Sequence, residues 1–478
     1  SLLFAGVGGV PRTATDLDKN NWQPRLGAAY KLTSRLVMRG GWGRYYLNPD
    51  NSYLQTNGFS QATSYIATLD GGRTYLPNML NNPFPDGVQV PPGSSLGALS
   101  FLGRGFTFVN TAFEVPYVNQ FSVGLQYELP LRSRIEASYV GSRTRKQQGA
   151  RPFNEMDLNS RRSCNLMEGG TPLFCDERVP NPFAGLQPFF GTTHYSAATI
   201  ARSQMMRPLP HFGALTETTR NDGAMWYNSL QMVYEMRLPG VNLIANYTLS
   251  KHVERDGFND DQAGVMRQGL FQYDMPHRVS LATVFDFPFG KGRRLFNSAS
   301  GFWERVASGW QGTVLFQYQS GTPWTLPANV LYLKEAKLGN IDWSQPRVQG
   351  VQPCVARWND NGTITMQPFS TRAGCTEANF LILPRFAPRF TPARDGRLRL
   401  HSVPQADISV NKTTRITEKT SIQFRAEAFN VTNTFMFHRM EFNNNPESAN
   451  FGSLEPAAAS YAQGNWPRQV QLAVKFIW

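Results

Sequence analysis

The feature that most constrains the fold of this chain is a repeated alternation of apolar and polar residues over segments of about ten residues. In the final segment, VQLAVKFIW, every second residue from Val470 to Trp478 is apolar, and those between are largely polar, with Ile477 as an exception. Side chains of a β-strand point alternately to opposite faces, so this pattern predicts a strand with one apolar face. Similar segments upstream begin at Trp22, Arg35, Asn119, Ser133, Tyr227, Gly240, His277, Trp310, Ala406 and Ser421. We therefore expect about eleven strands of the length that crosses a bilayer.

The connections between these segments alternate between short and long. The short ones are Thr33-Ser34, Pro130–Arg132, Pro239-Gly240, Thr417–Lys419 and a somewhat longer link from Pro288. The long ones cover about 48–116, 144–226, 253–275, 321–403 and 432–466. A transmembrane barrel has short periplasmic turns at one rim and long extracellular loops at the other, whereas a soluble sandwich has no reason to sort loop lengths. The expected fold is therefore all-β, an antiparallel transmembrane β-barrel to which this chain contributes about eleven strands.

Composition agrees with this fold and excludes several other classes. Charged residues make up 17% of the chain, below the roughly 25% of soluble domains, while aromatic residues reach 13%. This composition excludes a disordered tail, a collagen and a disulfide mini-scaffold, and it argues against a helix-rich cytosolic enzyme. The chain contains no apolar run of about 18 residues, so we expect no transmembrane helix. A soluble secreted β-protein remains as an alternative.

The order of short and long connections also predicts the direction of each strand. The last segment follows a long loop and therefore descends toward the periplasm, and with about eleven strands the first descends as well. Residues 1–21 are then expected to be part of an extracellular loop, and 22–478 the C-terminal half of a larger barrel. The alternative is a sheet that is closed by strands from another chain.

Several stretches of the sequence resemble the barrel of Oar-like TonB-dependent outer-membrane receptors. They are NNWQPRLGAAYKLTSRLVMRGGWGRYY, YVNQFSVGLQYELPLRSRIEASYVGSRTRK, YNSLQMVYEMRLPGVNLIANYTLSKHVE, DMPHRVSLATVFDFPFGKGRR, GWQGTVLFQYQSGTPW, DISVNKTTRITEKTSIQFRAEAFNVTN and PRQVQLAVKFIW. Members of this family carry an N-terminal carboxypeptidase-regulatory-like domain, a plug and a barrel of about 22 strands. The resemblance implies that this chain is the second half of such a barrel in the Gram-negative outer membrane. The plug and the link to TonB would then come from a missing N-terminal part.

The resemblance further implies active import of a scarce nutrient, with the barrel as the wall and the long loops capturing the substrate. Substrate specificity would lie in the long loops, and these carry no recognisable motif. A siderophore, an oligosaccharide, a peptide and an exported protein therefore all remain as candidate substrates. The alternative function is a non-transporting structural or docking barrel that binds partner proteins or envelope polymers. A plug and a TonB box upstream in the gene would favour import.

Charged residues at the polar positions of the strands are expected to face the barrel interior, which is wet in a barrel wide enough for a plug. These lumen-facing candidates are Arg39, Glu136, Glu235, Arg237, Asp286, Asp407, Arg425, Glu427 and Lys475. For any one of these residues, contact with water in the barrel interior is a sufficient explanation. As a set, they are the expected docking surface for a plug.

The C-terminal pattern and several aromatic residues are expected to act at the membrane. Val470, Leu472, Val474, Phe476 and Trp478 resemble the signal that the barrel-assembly machinery reads, although a membrane strand ending in a rim aromatic explains them too. Residues expected to anchor at the two interfaces are Trp42, Tyr45, Tyr46, Trp226, Tyr227 and Trp478.

Four cysteines fall in two pairs, Cys164 with Cys175 and Cys354 with Cys375, each within one long loop. In an oxidising exterior this arrangement predicts a disulfide within each pair. The chain has no CxxC spacing, so we do not expect a zinc site.

The remaining polar motifs point to no chemistry. Asp256, Asn259, Asp260 and Asp261 could bind Ca²⁺, but they lack EF-hand spacing, so a solvated loop is the better interpretation.

The net charge of +13 is dispersed in small clusters without a nucleic-acid motif. Those clusters are Arg143–Lys146, Arg161-Arg162, Lys291–Arg294 and Arg394–Arg399. We expect loop cations to meet outer-membrane lipid and lipopolysaccharide phosphates, not nucleic acid. No nucleophile–base pair and no cofactor motif are found, so neither an enzyme nor a cofactor is expected.

Overall fold

One large antiparallel sheet dominates the structure, which is a computed structural model. It describes residues 3–13, 15–47, 57–60, 63, 74, 81–82, 84, 87–88, 90–260, 264–334, 348–352, 354–434, 442–454 and 467–478. Eleven strands follow each other across the sheet in chain order. They are β1 Arg25–Lys31, β2 Leu36–Tyr46, β3 Tyr117–Leu129, β4 Ser133–Pro152, β5 Leu215–Leu238, β6 Val241–Asp260, β7 His277–Asp286, β8 Trp310–Gln319, β9 Val403–Arg415, β10 Ser421–Phe429 and β11 Gln469–Ile477. The eleven predicted strands are thus confirmed.

Every neighbouring pair along this path is antiparallel. With eleven strands in alternating directions, β1 and β11 run the same way, as the order of the connections predicts. Within the described residues these two strands are the ends of the path. Two shorter strands pair beside it, Phe106–Val109 parallel to β5 and Val265–Leu270 antiparallel to β6.

The short connections, which join the strands at one end of the sheet, are tight turns with local hydrogen bonds. Thr33 Oγ1 accepts from the Leu36 amide at 3.0 Å, and Thr417 Oγ1 accepts from the Thr420 amide at 3.0 Å. Gly240 has a φ of +80°, a backbone conformation that costs glycine little and other residues more. Each turn therefore holds its hairpin in one register.

The pairing register divides the sheet into two faces, because directly opposite residues in neighbouring strands point the same way. One row of opposite residues across β2 to β6 consists of Met38, Leu125, Ala137, Met232 and Tyr247. The adjacent row, one residue along each strand, points to the other side and consists of Arg39, Gly124, Ser138, Gln231 and Thr248. We call these sides the apolar face and the polar face.

Three strands continue well past the segments predicted for them. The predicted loop 144–226 begins with β4, which extends to Pro152, and ends with β5, which starts at Leu215. Most of the predicted loop 253–275 belongs to a hairpin of β6 with Val265–Leu270. Register shifts between Arg145 and Arg151 interrupt the two-residue period. Where both faces are polar and the period is broken, alternation no longer reveals a strand.

The connections at the long-loop rim contain small folded units. Residues 321–402 and 442–454, in their described parts, form what we call the loop subdomain. Its strands are Pro323–Thr325, Val330–Tyr332, Val348–Gln349, Val355–Trp358, Ile364–Met366, Phe380–Ile382, Arg394–Arg399 and Ser453–Leu454. Its core buries Trp324, Leu326, Val330, Tyr332, Val351, Val355, Phe380, Ile382, Leu398, Leu400, Phe442 and Phe451. A core of this kind makes the subdomain a packed unit and not a solvated loop.

The helices are short and lie in the connections. They are α1 Leu158–Cys164, α2 Pro172–Asp176, α3 Thr193–Ser196, α4 Arg202–Met205, α5 Gly301–Ala307 and α6 Pro368–Arg372, with 3-10 turns at Gly97–Leu99, Leu166–Glu168 and Gln187–Phe189. Two further short strands, Arg178–Pro180 and Thr199–Ala201, pair within the β4–β5 connection. In the described part of the chain, no helix has the length and apolar character needed to cross a membrane.

Candidate functional site

The nine charged residues predicted to face the interior all lie on the polar face. Arg39 belongs to the row given above, and Asp286, Arg425 and Lys475 follow on the same face through the continuous register of β7 to β11. The remaining ones, Glu136, Glu235, Arg237, Asp407 and Glu427, fall on it by the same pairing. The structure thus brings together on one surface charges that are hundreds of residues apart in the chain.

Several of these charges are neutralised by cations of the sheet or of its short connections. Glu235 accepts from Arg134 at 2.6 Å and lies 3.7 Å from Arg237, while Asp286 accepts from Arg293 at 2.8 Å. Arg425 and Glu427, on one strand, approach to 3.6 Å. These pairs are part-exposed, so water screens their attraction and each contributes little to stability.

Arg39 and Lys475 differ from the paired charges. Both side chains are exposed, and among the described residues neither has a carboxylate within 4.0 Å. Glu136 accepts a hydrogen bond from Ser138 at 3.1 Å, and Asp407 accepts one from the Asn430 amide at 2.7 Å; within the described ranges neither carboxylate has a cation within 4.0 Å. The polar face therefore keeps charges of both signs that are available to another group.

The apolar face ends at β11 in the predicted C-terminal pattern. Val470, Leu472, Val474 and Phe476 all lie on this face, opposite Ala428, Ala426, Phe424 and Ile422 of β10. Between 50% and 72% of each of their surfaces is exposed. Trp478 follows the last residue of the strand and is 87% exposed, with its ring 5.9 Å from that of Phe476. Such a band of exposed apolar residues suits contact with hydrocarbon.

Only some of the predicted rim aromatics lie on the apolar face. Trp42, Tyr46 and Trp226 do so, opposite Phe121, Tyr117 and Arg143. Tyr45 and Tyr227 were wrongly assigned to the interfaces, because they pair with Val118 and Ser142 on the polar face. The reason is geometric, since adjacent residues of a strand cannot both face lipid.

A second group of aromatic residues at the short-turn rim was not identified from the sequence. Phe285 and Trp310 lie on the apolar face, and the rings of Phe287 and Phe289 continue from Phe285 at centroid spacings of 5.2 and 5.5 Å. The sequence signal was the two-residue spacing of phenylalanines in FDFPF. With Tyr46, Tyr117 and Trp226 at the other rim, the apolar face is bordered by two aromatic girdles.

Ion pairs fasten the loop subdomain to the sheet. Arg399 Nη2 lies 2.6 Å from Oδ2 of Asp274, whose side chain is almost fully buried, and Asp274 Oδ1 accepts from the His252 amide at 2.6 Å. Arg394 is paired with buried Glu254 on β6. The Arg394–Arg399 cluster, expected to be loop cations that meet lipid phosphates, is therefore used largely for internal contacts.

Two basic groups inside the loop subdomain are affected by burial. Arg389 donates from Nη2 to the Leu326 carbonyl at 3.0 Å, and burial, with Arg267 and Arg394 nearby, lowers its pKa to about 10. Burial also lowers the pKa of His401 below its ordinary value. Both shifts mean that the charged form is disfavoured inside the subdomain.

The four cysteines are paired within their own loops. Cys164 is bonded to Cys175 with Cα atoms 5.5 Å apart, and Cys354 to Cys375 with Cα atoms 5.6 Å apart. Arg385 of the loop subdomain joins the two loops, because it pairs with Asp176 as well as with Asp360. Phe386 packs against the Cys164–Cys175 cluster. The two disulfide loops therefore form one connected outer surface.

The acidic stretch considered for Ca²⁺ has a different arrangement. The Asp256 carboxylate is bound by Arg267 through Nε at 3.1 Å and Nη2 at 2.9 Å. Asn259 and Asp260 belong to the end of β6, and Asp261 lies outside the described residues. No three His, Cys, Asp or Glu side chains in the described ranges converge on a metal position.

The fold is similar to that of several solved outer-membrane proteins. These include the ferripyoverdine receptor of the outer membrane of Pseudomonas aeruginosa (10% identity, TM-score 0.38, covering 95% of this chain and 32% of that one). They also include the ferric-catecholate import receptor Fiu of Escherichia coli (10%, 0.37, 95% and 34%) and the siderophore receptor PirA of Acinetobacter baumannii (10%, 0.37, 96% and 41%). The chain thus spans about a third of the length of the first of these structures. No curated protein matches the chain.

The chain also matches a protein-family model. The outer membrane beta barrel domain matches residues 1–471, nearly the whole chain. This agrees with the large antiparallel sheet, its exposed apolar face and its aromatic girdles. The chain belongs to the outer membrane beta barrel domain family, and its location is the outer membrane.

Proposed function

We propose that this chain is the barrel part of a TonB-dependent receptor that imports a scarce nutrient across the outer membrane. The observation that carries the proposal is the charged polar face on the other side of the sheet from the apolar face. In a membrane barrel the apolar face meets lipid, so the polar face encloses the interior. An interior lined by this many charges is hydrated and suits a wide barrel instead of a small one filled by side chains.

A plug supplied by an N-terminal part of the receptor would dock on this polar face. Arg39 on β2 and Lys475 on β11 are exposed cations, and neither has an acidic partner in the described part of the chain. They are the charges best suited to bind acidic groups of a plug. The paired Glu235 and Asp286 would instead keep the wall itself neutral.

The long loops would form the outer surface that captures the substrate. Packing, two disulfides and the Arg385 ion pairs support a preformed surface, which loses less conformational entropy on binding than flexible loops do. Siderophores, oligosaccharides, peptides and exported proteins are the substrate classes to be tested.

The C-terminal pattern from Val470 to Trp478 would serve as the signal for the barrel-assembly machinery. Deletion of Trp478 is expected to reduce the amount of heat-modifiable barrel in the outer membrane. The matched control is Lys475→Gln, which changes the polar face of the same strand. Unchanged insertion after the deletion would contradict this role.

Import is tested by measuring solute depletion from the medium by cells with the intact gene and by cells in which the gene is deleted. We expect at least one solute whose uptake is lost in the deletion strain and is lost equally when a protonophore removes the inner-membrane energy source. If no solute depends on the gene, the import function is wrong. Gene-dependent binding of a partner protein or envelope polymer to such cells would then favour the docking barrel.

A further inference from the structure

A cluster of cations lies on the apolar face at the long-loop rim, among the aromatic residues that border this face. The register places them in three successive rows of β2 to β6. We define the basic rim cluster as Arg44, Arg143, Arg145, Lys251 and Arg255. Arg143 and Arg145 belong to a cluster that the sequence alone assigns to a loop, but both lie on β4.

In the part of the chain that the structure describes, no carboxylate neutralises the basic rim cluster. Among the described residues, none of its five cations has an acidic oxygen within 4.0 Å, and the nearby Asp222 is held by Arg220. Arg143 instead donates to the Tyr227 carbonyl at 2.8 Å and to Asn228 Oδ1 at 2.7 Å, and Arg44 donates to Asn119 Oδ1 at 3.0 Å. These neutral partners orient the guanidinium groups but leave their charge uncompensated.

Aromatic rings hold the arginines against the wall. Trp226 lies between Arg145 and Arg255, whose guanidinium carbons are 5.1 and 5.8 Å from its ring. Arg44 lies 4.4 Å from the ring of Tyr117, and Arg143 lies 5.2 Å from that of Phe121. Cation–π contacts of this kind fix the position of a charge without neutralising it.

The geometry suits phosphate groups at the level of lipid headgroups. Next to the cluster, the apolar face continues into Tyr139 and Leu230, so a bound molecule would contact charge and hydrocarbon surface together. Neighbouring strands are about 4.8 Å apart, so Arg44 and Arg143, two strands apart, are separated by about 10 Å at the backbone. Arginine binds phosphate through two parallel hydrogen bonds, and a spread of cations can bind more than one phosphate.

We propose that the basic rim cluster is a binding site for the phosphate groups of a phosphorylated glycolipid of the outer leaflet. The lipid's acyl chains would lie along the apolar face, and its phosphates would supply the missing negative charge. The proposal rests on the proposed function only for the direction of the barrel, with its long-loop rim outward. Lipid binding is measured on the purified chain, so it and nutrient uptake can each fail without the other.

The test measures binding of bisphosphorylated lipid A to the full chain in detergent by native mass spectrometry, with dephosphorylated lipid A and inorganic phosphate as comparison probes. We expect the unmodified chain to prefer the phosphorylated lipid, and Arg145→Gln with Lys251→Gln to weaken its binding about tenfold or more. The matched control is Arg278→Gln with Arg415→Gln, which removes two exposed cations of the polar face, opposite Thr248 and Ser421, and is expected to leave binding unchanged. Arg145→Lys with Lys251→Arg keeps both charges and is expected to retain binding, which separates loss of charge from misfolding.

Equal affinity of the cluster variant and the unmodified chain for phosphorylated lipid A would overturn the proposal. So would equal affinity of the unmodified chain for the two forms of the lipid. Complete competition by millimolar inorganic phosphate would assign the cluster to a free anion and overturn the lipid assignment. An equal loss in the polar-face control would show that overall charge, not this site, governs binding.

Discussion

Arg399 and Asp274 form one of the ion pairs that fasten the loop subdomain to the sheet, with Nη2 of Arg399 2.6 Å from Oδ2 of Asp274. Asp274 → Ala would leave the guanidinium without its buried partner. Removing one member of a buried pair costs about 3–5 kcal/mol, so we expect the free energy of local opening of the subdomain to fall by that amount. Hydrogen exchange of the Phe380–Ile382 amides measures this change.

The control for this substitution is Asp395→Ala. Asp395 pairs with Arg397, which is largely exposed, so its loss should cost no more than about 1 kcal/mol. If both substitutions changed exchange to the same extent, the buried pair would have no special role in fastening the subdomain.

The Cys354–Cys375 disulfide is expected to stabilise the loop subdomain independently of the barrel. The bond closes a loop with a sequence separation of 21, for which the chain-entropy model gives about 3 kcal/mol. Replacing both cysteines with serine should therefore increase the rate of limited proteolysis within the subdomain by about a hundredfold. Hydrogen exchange of the β8 and β9 amides in the same variant serves as the internal reference. Faster exchange of these amides would mean that the disulfide supports the whole sheet.

The loop subdomain should lose stability in mildly acidic solution because of His401. Burial lowers the pKa of His401 from its ordinary value of 6.5, so the opened subdomain binds the proton more tightly than the folded one. The stability contributed by the neutral ring is complete above about pH 6.5 and is lost as the pH falls through the lower pKa of the folded state. Hydrogen exchange at pH 7.5 and 5.5, corrected for intrinsic rates, should show this loss in the unmodified chain and a smaller loss in His401→Gln. An identical pH dependence in both proteins would exclude His401 as the cause.

Met232 and Gln231 offer a direct comparison of the two faces of β5. Met232 lies on the apolar face between Ala137 and Tyr247, whereas Gln231 lies on the polar face between Ser138 and Thr248. Arginine at a lipid-facing position near the membrane midplane costs about 2–4 kcal/mol. Met232→Arg should therefore lower the free energy of unfolding of the chain in vesicles by that amount. Gln231→Arg should change it by much less. Equal costs at the two positions would contradict the assignment of the faces.

The sequence was sufficient to locate the strands because their signal is local. A two-residue period needs no knowledge of the neighbouring strand, so β7, β8 and β11 begin close to where the alternation predicts. Faces follow from the same period, which is why all nine charges predicted for the interior share one face. The error at Tyr45 and Tyr227 arose where residue type was considered without this period.

The loop subdomain was beyond reach of the same reasoning because its contacts are not local. Trp324 donates a hydrogen bond to the carbonyl of Phe442, 118 residues away, and no residue spacing along the chain predicts that pair. The basic rim cluster was missed for a different reason. Arg143 and Arg145 continue the apolar face of β4, but their charge ends the apolar pattern that marked the strand.

The account depends most on the claim that lipid surrounds the apolar face and water fills the space beside the polar face. Spin labels attached singly to cysteines introduced at positions 230, 231, 232, 233 and 234 of β5 test it, with the chain in vesicles. We predict that collisions with oxygen are highest at 230, 232 and 234, and that collisions with a water-soluble nickel complex are highest at 231 and 233. Low accessibility to both reagents at all five positions would mean a dry, packed interior and would contradict the account.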